Sequence, residues 1–492
     1  MQRFSMVAAV VCLIFVFSLV LIPFANADWT MYMSDASHNG AGTGNPVLNG
    51  TLLWNYTTGS AVTSSPAVVN DIVYVGSYDN NVYALNAANG AKLWKYATGG
   101  AVTSSPAVAN GVIYVGSNDN KVYALDAASG DKIWSYTTGG VVTSSPAVVD
   151  GVVYVGSYDH KIYALDAASG DKIWSYTTGG IVTSSPAIAN GVVFVGSEDS
   201  NVYALNAANG DKIWSYFTGL EVESSPAVTN GVVYIGSLLS NVYALNAANG
   251  KQLWNYTVGS PTVTNSFESS PAVVNGVACT GSQQGNVYDL NAANNYKPVV
   301  LSFSSGASCP AVVGGVVYIA SISGGLYALN AANGNQLWNC TAGFLESSPA
   351  VVNGVVYLNM GQGTYSVYTS VYAFNAANGA QLWNYKFGYY EDLLSGISSP
   401  AVVNGILYVG SYDGNVYALI SSSATSTSSP SASSSSTSTP TPTLKPTATT
   451  STPAFGAVDW LIVVIVIIIV LFLILLVWYR SQKKKTQQPQ PT

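Results

Sequence analysis

Charge is scarce in this 492-residue chain: Asp, Glu, Lys and Arg make up 8% of it, against 49% apolar residues. What charge there is leans acidic. Between Asp28 and Ala454 eleven lysines face twenty-two carboxylates, a net −11 that would repel phosphate backbones and argues against a nucleic-acid partner. Two histidines cannot credibly furnish a Ser-His-Asp arrangement, and no Gly-rich phosphate loop is present. Of four cysteines, Cys12 lies in the leader, and Cys279, Cys309 and Cys340 show no metal-like C-x-x-C spacing. Nor does the central region contain an apolar run long enough for an ordinary helix.

What the chain has instead is repetition. Ser-Pro-Ala and its variants recur with prolines at Pro66, Pro106, Pro146, Pro186, Pro226, Pro271, Pro310, Pro349 and Pro400, a period near 40 residues. Within one unit four short Val-, Tyr- and Trp-rich runs alternate with Asn-Asp, Tyr-Asp-Asn-Asn and Asn-Ala-Ala-Asn-Gly clusters, which read as strands and turns. Four strands per unit is one propeller blade, and neighbouring blades must cover each other's faces. Trp54, Trp94, Trp134, Trp174, Trp214, Trp254, Trp338 and Trp383 are the expected inter-blade wedges. Thr51 to Thr58 supplies only a last strand and Ser398 to Ile420 only the first three. Joined, they complete one blade and close the ring, so the sequence predicts an all-β propeller of four-stranded blades, eight or nine in number.

These residues carry a resemblance. The unit resembles the pyrrolo-quinoline quinone (PQQ) type propeller repeat, whose signature Ala-x-Asp-x-x-(Ser/Thr)-Gly-x-x-x-Trp matches Ala124, Asp126, Ser129, Gly130 and Trp134, and again Ala164, Asp166, Ser169, Gly170 and Trp174. Elsewhere Asn replaces Asp and Ser, as at Asn86 and Asn89. The match spans residues 49–420. It implies the fold and two kinds of role, quinoprotein dehydrogenase or a scaffold similar to the assembly lipoprotein BamB. Dehydrogenases of this fold use an acidic base, a metal held by acidic and amide groups, and often an adjacent Cys-Cys pair. Here no Cys-Cys pair exists and no unit gains an acidic cluster foreign to its siblings, so no catalytic, cofactor or metal residue is assigned.

The ends have their own logic. Residues 1–27 read as a signal peptide with Arg3, an apolar run and Ala25-Asn26-Ala27 before the cut. Residues 28–48, containing Trp29 and His38, form a lead-in, residues 49–420 the propeller, and the Ser/Thr/Pro tract of residues 421–457 an extended stalk. Residues 458–479 contain the unbroken aliphatic stretch Trp460 to Tyr479, long enough to span a bilayer. Arg480 and Lys483 to Lys485 open the tail, residues 480–492, and place it in the cytoplasm with the propeller outside.

Candidate sites are few. Asp79, Asp119, Asp159, Asp199 and Asp413 recur in the turn between second and third strands, where each is expected to accept backbone N–H bonds of its own turn; a carboxylate ring collecting Ca²⁺ or a basic partner is the other reading. Glu221, Glu223, Glu268, Glu346, Glu391 and Asp392 precede the Ser-Pro-Ala segments of later units and are the candidate binding surface. Asn49, Asn55, Asn255 and Asn339 begin Asn-x-Ser/Thr sequons, candidate N-glycosylation sites in an exported chain. Cys279 and Cys309 fall in neighbouring units and could bridge, leaving Cys340 free, or all three could stay buried thiols. The expected function is non-enzymatic binding or scaffolding of proteins at the cell envelope, with no cofactor. The alternatives are a membrane-anchored PQQ-dependent dehydrogenase, with PQQ and Ca²⁺, and a surface adhesin that binds glycans.

Overall fold

The computed structural model describes residues 30, 41–42, 44–238, 241–257, 269–274, 277–281, 287–291, 299–301, 308–321, 325–333, 335–341, 344–345, 347–362, 367–390 and 398–421. Blade 1 consists of Ala67–Val69, Ile72–Gly76, Asn81–Asn86 and Lys92–Ala97, hydrogen-bonded in that order from the channel outward. Blades 2 to 7 repeat the plan within residues 107–137, 147–177, 187–217, 227–257, 272–301 and 311–341. Blade 8 is larger: Ala350–Val352, Val355–Gln362, Val367–Asn375 and Gln381–Tyr390, with Ala41–Gly42 added in parallel on its inner edge and Phe344–Leu345 paired to Val355–Gln362. Blade 9 joins Ala401–Val403, Ile406–Gly410 and Asn415–Ile420 to the N-terminal strand Thr51–Thr57, the closure that the split ends of the repeat foretell. There are thus eight four-stranded sheets and a ninth, six-stranded one.

Local chemistry explains the hairpins. The first and second strands of every blade but the sixth, whose joining residues lie outside the described ones, are joined by two residues that both take positive φ, such as Asn110 and Gly111 at 51° and 76° or Asn404 and Gly405 at 51° and 77°. This is the turn whose twist matches that of a hairpin, and Asn-Gly tolerates it best. The strands that follow are buried on both sides. In blade 1, Val73, Val75, Tyr83 and Leu85 pack with Tyr408, Val416 and Ala418 of blade 9, while Tyr74, Val82, Ala84 and Trp94 pack with Ile113, Val115 and Tyr123 of blade 2.

One contact recurs between neighbouring blades, with blade 6 the exception because its outer strand carries no tryptophan. The indole of Trp94 lies over Gly130 of blade 2, so close that a Cβ there would meet the ring at 2.5 Å, and its Nε1–H donates to the Ala127 carbonyl at 3.0 Å. Tyr74 donates its hydroxyl to the same carbonyl at 3.0 Å, so both acceptor lone pairs are used. The pair recurs with Trp134 and Tyr114 on Ala167, Trp174 and Tyr154 on Ala207, and Trp338 and Tyr318 on Ala376. At the closure Trp54 and Tyr408 reach Ala87, and Trp383 and Tyr357 reach the Val47 carbonyl of the lead-in. Trp214 holds Ala247 alone, because blade 4 carries Phe194 where its siblings carry tyrosine. Trp254 packs on Tyr234, and the turn it would dock onto lies outside the described residues.

A second ring runs round the channel. The backbone N–H of Ser65 donates to Ser105 Oγ at 3.0 Å, Ser105 to Ser145, Ser145 to Ser185, Ser185 to Ser225, and Ser225 to Ser270. Ser270 donates to Cys309 Sγ, Ser348 to Ser399, and Ser399 back to Ser65. These bonds reach all nine blades along the channel.

Two substitutions test the dock. Gly130→Ala adds a methyl group at φ 75° inside the Trp94 ring's van der Waals radius, and should destabilise the chain by about 1–3 kcal/mol, read as a lowered unfolding midpoint. Phe194→Tyr supplies the hydroxyl that Ala247 lacks and should raise the midpoint by an amount equivalent to about 1 kcal/mol. A neutral or destabilising Phe194→Tyr would show that the second acceptor position is not used as described.

Candidate functional face

The two ends of the ring differ in chemistry. On one, the turn between third and outer strands meets the hairpin between first and second, as Ala127 N–H donates to Gly111 O at 2.9 Å. The other carries the turns between second and third strands and the linkers from each outer strand to the next blade. Here Asp119 Oδ2 of blade 2 accepts from Gly99 N–H, in the linker leaving blade 1, at 2.7 Å and from its own Tyr123 hydroxyl at 2.5 Å. Asp79 does the same with Gly59 and Tyr83, Asp159 with Gly139 and Tyr163, Asp199 with Gly179 and Tyr203, and Asp413 with Gly388 and Tyr417. The expectation of turn-bound aspartates holds at Asp79, Asp199 and Asp413, whose Oδ1 accepts from Asn81, Asn201 and Asn415 N–H, but not at Asp119 and Asp159, whose buried Oδ1 accepts no such bond. It was too local: each carboxylate also clamps the linker twenty residues before it in the standard unit.

The clamp is confined to five consecutive blades, 9 and 1 to 4. At its position blades 5, 6 and 7 carry Leu239, Gln284 and Ser323 in sequence, and Tyr243 of blade 5 donates instead to the Thr218 carbonyl at 2.7 Å. Blade 8 departs further. Its second, third and outer strands run 8, 9 and 10 residues, against 6 for the corresponding strands of blade 2, and the extra length extends them toward this face. A buried Asn359 stands where its siblings carry glycine, or Ala320 in blade 7, and donates through Nδ2 to the carbonyls of Ser398 and Gly410 in blade 9. In the standard unit that room belongs to a linker valine, such as Val102 against Gly76; the sequence has Gly396 at the matching position before blade 9. Thr369 and Ser411 hydroxyls, both buried, meet at 3.1 Å beside it.

The candidate carboxylates fall on the same face where they are described. Glu223 stands half-buried immediately before Ser224, at the position that blades 1 to 4 fill with Thr63, Thr103, Thr143 and Thr183, while Glu221 is exposed two residues earlier. Sequence reasoning missed Glu198, in the preceding turn. Burial first, and the nearby Glu221 charge second, push its pKa up, with His160 opposing them. Its one signal was to stand where the neighbouring units have Tyr158 or Asn118. Glu268, Glu346, Glu391 and Asp392 lie outside the described residues. Among the described residues no three His, Cys, Asp or Glu side chains converge as a metal set. Cys279, Cys309 and Cys340 are all free thiols, so the structure does not form the bridge between Cys279 and Cys309; Cys309 Sγ instead occupies a serine's place in the channel circuit. Burial pushes the Cys340 thiol up to about 11.

The described sheets define a closed β-propeller of PQQ-like repeats. The family described as outer membrane protein assembly factor BamB matches residues 45–143, 137–305 and 295–446, and the chain belongs to it. Among solved structures it is similar to BamB from Moraxella catarrhalis, at 17% identity and a TM-score of 0.54, over 75% of this chain and 99% of that one. It is also similar to the quinohemoprotein alcohol dehydrogenase from Comamonas testosteroni, at 16% identity and 0.58 over 80% of each chain. A europium-containing methanol dehydrogenase gives 16% and 0.57 over 79% and 91%. Comparison with curated protein sequences yields no significant match. At these identities the structures share the fold alone.

The clamps give the protein an acid limb. Burial would raise Asp79 and Asp199, but the bonds from Tyr83, Gly59, Asn81 and Ser77 on one, and Tyr203, Gly179 and Asn201 on the other, hold both below the ordinary 3.8. A depressed folded pKa stabilises above the unfolded value, and the benefit is lost as pH falls through the folded one. Asp79→Asn should therefore lower the melting temperature at pH 7, with the deficit closing below about pH 4. A deficit that stays constant down to pH 2.5 would assign the loss to packing instead of charge.

Proposed function

We propose that the chain is an exported, membrane-anchored propeller that binds a protein partner at the cell envelope, without turnover, through the divergent rim of blades 5 to 8. The observation that carries this reading is the break in symmetry. Five blades keep one aspartate clamp, while the other four abandon it on the same face where blade 8 lengthens and Glu198, Glu221 and Glu223 gather. A surface repeated identically offers a partner no unique address; a rim that differs on one arc does. The aliphatic stretch Trp460 to Tyr479 and the leader in residues 1–27 support export and anchoring on sequence grounds.

The dehydrogenase reading meets a chemical obstacle. PQQ is a tricarboxylic quinone and needs cationic partners. The chain has two arginines, Arg3 and Arg480, far outside the repeats. Its described lysines, including Lys92, Lys121, Lys132, Lys172 and Lys212, lie on third or outer strands or just before them, and none is on an inner strand. Among the described residues no lysine or arginine stands on a channel-facing strand, a lining that does not fit that cofactor.

The test uses the full chain in its own membrane. A photo-crosslinking residue at Glu221 should capture a discrete protein, whereas the same residue at Ser135, on the outer strand of blade 2, should not. Equal capture from both positions would sink the rim assignment. Tight, Ca²⁺-dependent uptake of PQQ by the detergent-solubilised chain, followed on the quinone absorbance, would overturn the non-enzymatic reading. Capture of surface glycan in place of protein would move the function to adhesion.

A further inference from the structure

The outer strand of every blade is an open sheet edge, and each of those edges needs something to stop it pairing with another chain. The need is real here, because Leu93, Ile133, Ile173, Ile213, Leu253 and Leu337 stand exposed beside the docking tryptophans. Blades 1 to 4 place a lysine two residues before the tryptophan, Lys92, Lys132, Lys172 and Lys212. Charge on an edge strand opposes its addition to a second sheet. Blade 6 has Lys297 before its outer strand in the sequence, and blade 8 has Lys386 within its own. Blades 5, 7 and 9 lack a lysine within the outer strand, where its position holds Gln252, Gln336 and Leu52; blade 5 keeps Lys251 just before the strand, and blades 7 and 9 have no lysine there at all.

Those three blades are the ones in which the residue after the tryptophan is a sequon asparagine. Trp254-Asn255-Tyr256-Thr257, Trp338-Asn339-Cys340-Thr341 and Trp54-Asn55-Tyr56-Thr57 occupy one register of the outer strand, and all three asparagines are exposed. The replacing glutamines also do something specific. Gln252 Nε2 donates to Asn255 Oδ1 at 3.1 Å, and Gln336 Nε2 to Asn339 Oδ1 at 3.4 Å, so the carbonyl end of each asparagine amide is tied back. Asn49, two residues before the strand Thr51–Thr57, shares none of this register.

We infer that Asn255, Asn339 and Asn55 carry N-linked glycans that take over the edge-guarding role of the missing lysines. The inference rests on the exported reading above. In the transfer the carboxamide nitrogen attacks C1 of a lipid-linked oligosaccharide. The N–C bond forms as the C–O bond to the polyprenyl phosphate or diphosphate breaks, the lipid phosphate leaves, and the amide loses one proton. Because the sites sit at the equator, the glycans would shield the outer edges and leave both ends of the ring open.

The experiment isolates the full chain from its native membrane and maps its peptides by mass, while external protease on intact cells reports export. Sugar mass on the peptides containing Asn255, Asn339 and Asn55 is the expected result. Protein degraded by external protease, with all three peptides recovered unmodified, would overturn the glycan inference and leave export standing. Protein protected from protease and unmodified would overturn both. The guarding role has its own test: the triple Asn→Gln variant should aggregate at a several-fold lower concentration than the native chain, and adding Gln252→Lys and Gln336→Lys should restore much of the loss. A triple variant as soluble as the native chain would overturn the guarding role.

Discussion

The structure depends on an indole laid over a glycine. A four-stranded sheet of this composition has two apolar faces and cannot stand alone, so each blade is stable only against its neighbours. The tryptophan wedges a large ring into that contact and points its one donor at a turn carbonyl of the next blade, which a tyrosine hydroxyl shares at most docks. Glycine at the dock serves two ends. Its positive φ shapes the turn, as at Gly130, and its missing side chain leaves room for the ring. The same device closes the circle, with Val47 of the lead-in accepting from Trp383 and Ala87 accepting from Trp54. The lead-in is therefore a working part of the ring as well as a connection to it.

The architecture separates two constraints by position. Docking residues face neighbouring blades and are tied to a partner that is itself a repeat, so changing one requires changing the other. The Asn359 and Gly396 positions show such a paired exchange: the side chain missing from the linker is replaced by one on the strand, and its amide finds two carbonyls of blade 9. Residues of the clamp face bind their linkers through a carboxylate and a phenol, and where the aspartate is lost the tyrosine can turn to a backbone carbonyl, as Tyr243 does. The rim could thus diverge while the dock stayed fixed.

This division also explains what was legible in the sequence. The strand plan, the docking tryptophans and the shared closing blade all follow from a period that any reader can align, because they depend on residues spaced regularly along one chain. The blade count stood at eight or nine because the repeat spacing turns irregular after Gly250; the structure forms nine sheets, and the longest interval, before Pro400, holds the lengthened strands of blade 8. The second partner of each clamp aspartate was invisible for a different reason: Gly59 and Asp79 meet only once the linker has turned back over the next blade. Glu198 escaped notice because its neighbourhood with Glu221 and His160 spans two turns and a linker. Of the two readings of the cysteines, the structure has the free thiols. Placing Cys279 and Cys309 in adjacent units is correct, but one lies within a sheet opposite Ala272 and the other faces the channel circuit.

Edges complete the argument. A ring of sheets leaves no blade face uncovered, yet every blade still exposes one strand edge to the channel and one to solvent. The inner edges are three residues long and are spanned by backbone N–H bonds to neighbouring hydroxyls, with Ala41–Gly42 pairing on blade 8 and the Thr30 carbonyl accepting from Val108. The outer edges are twice that length in the regular blades and have no such partner. Stability therefore asks most of the inner surface and solubility most of the outer one, and it is on the outer one that the repeat varies in charge from blade to blade. A fold built by duplication inherits the same exposed edge in each copy, so every copy must solve that problem, and the copies need not solve it in the same way.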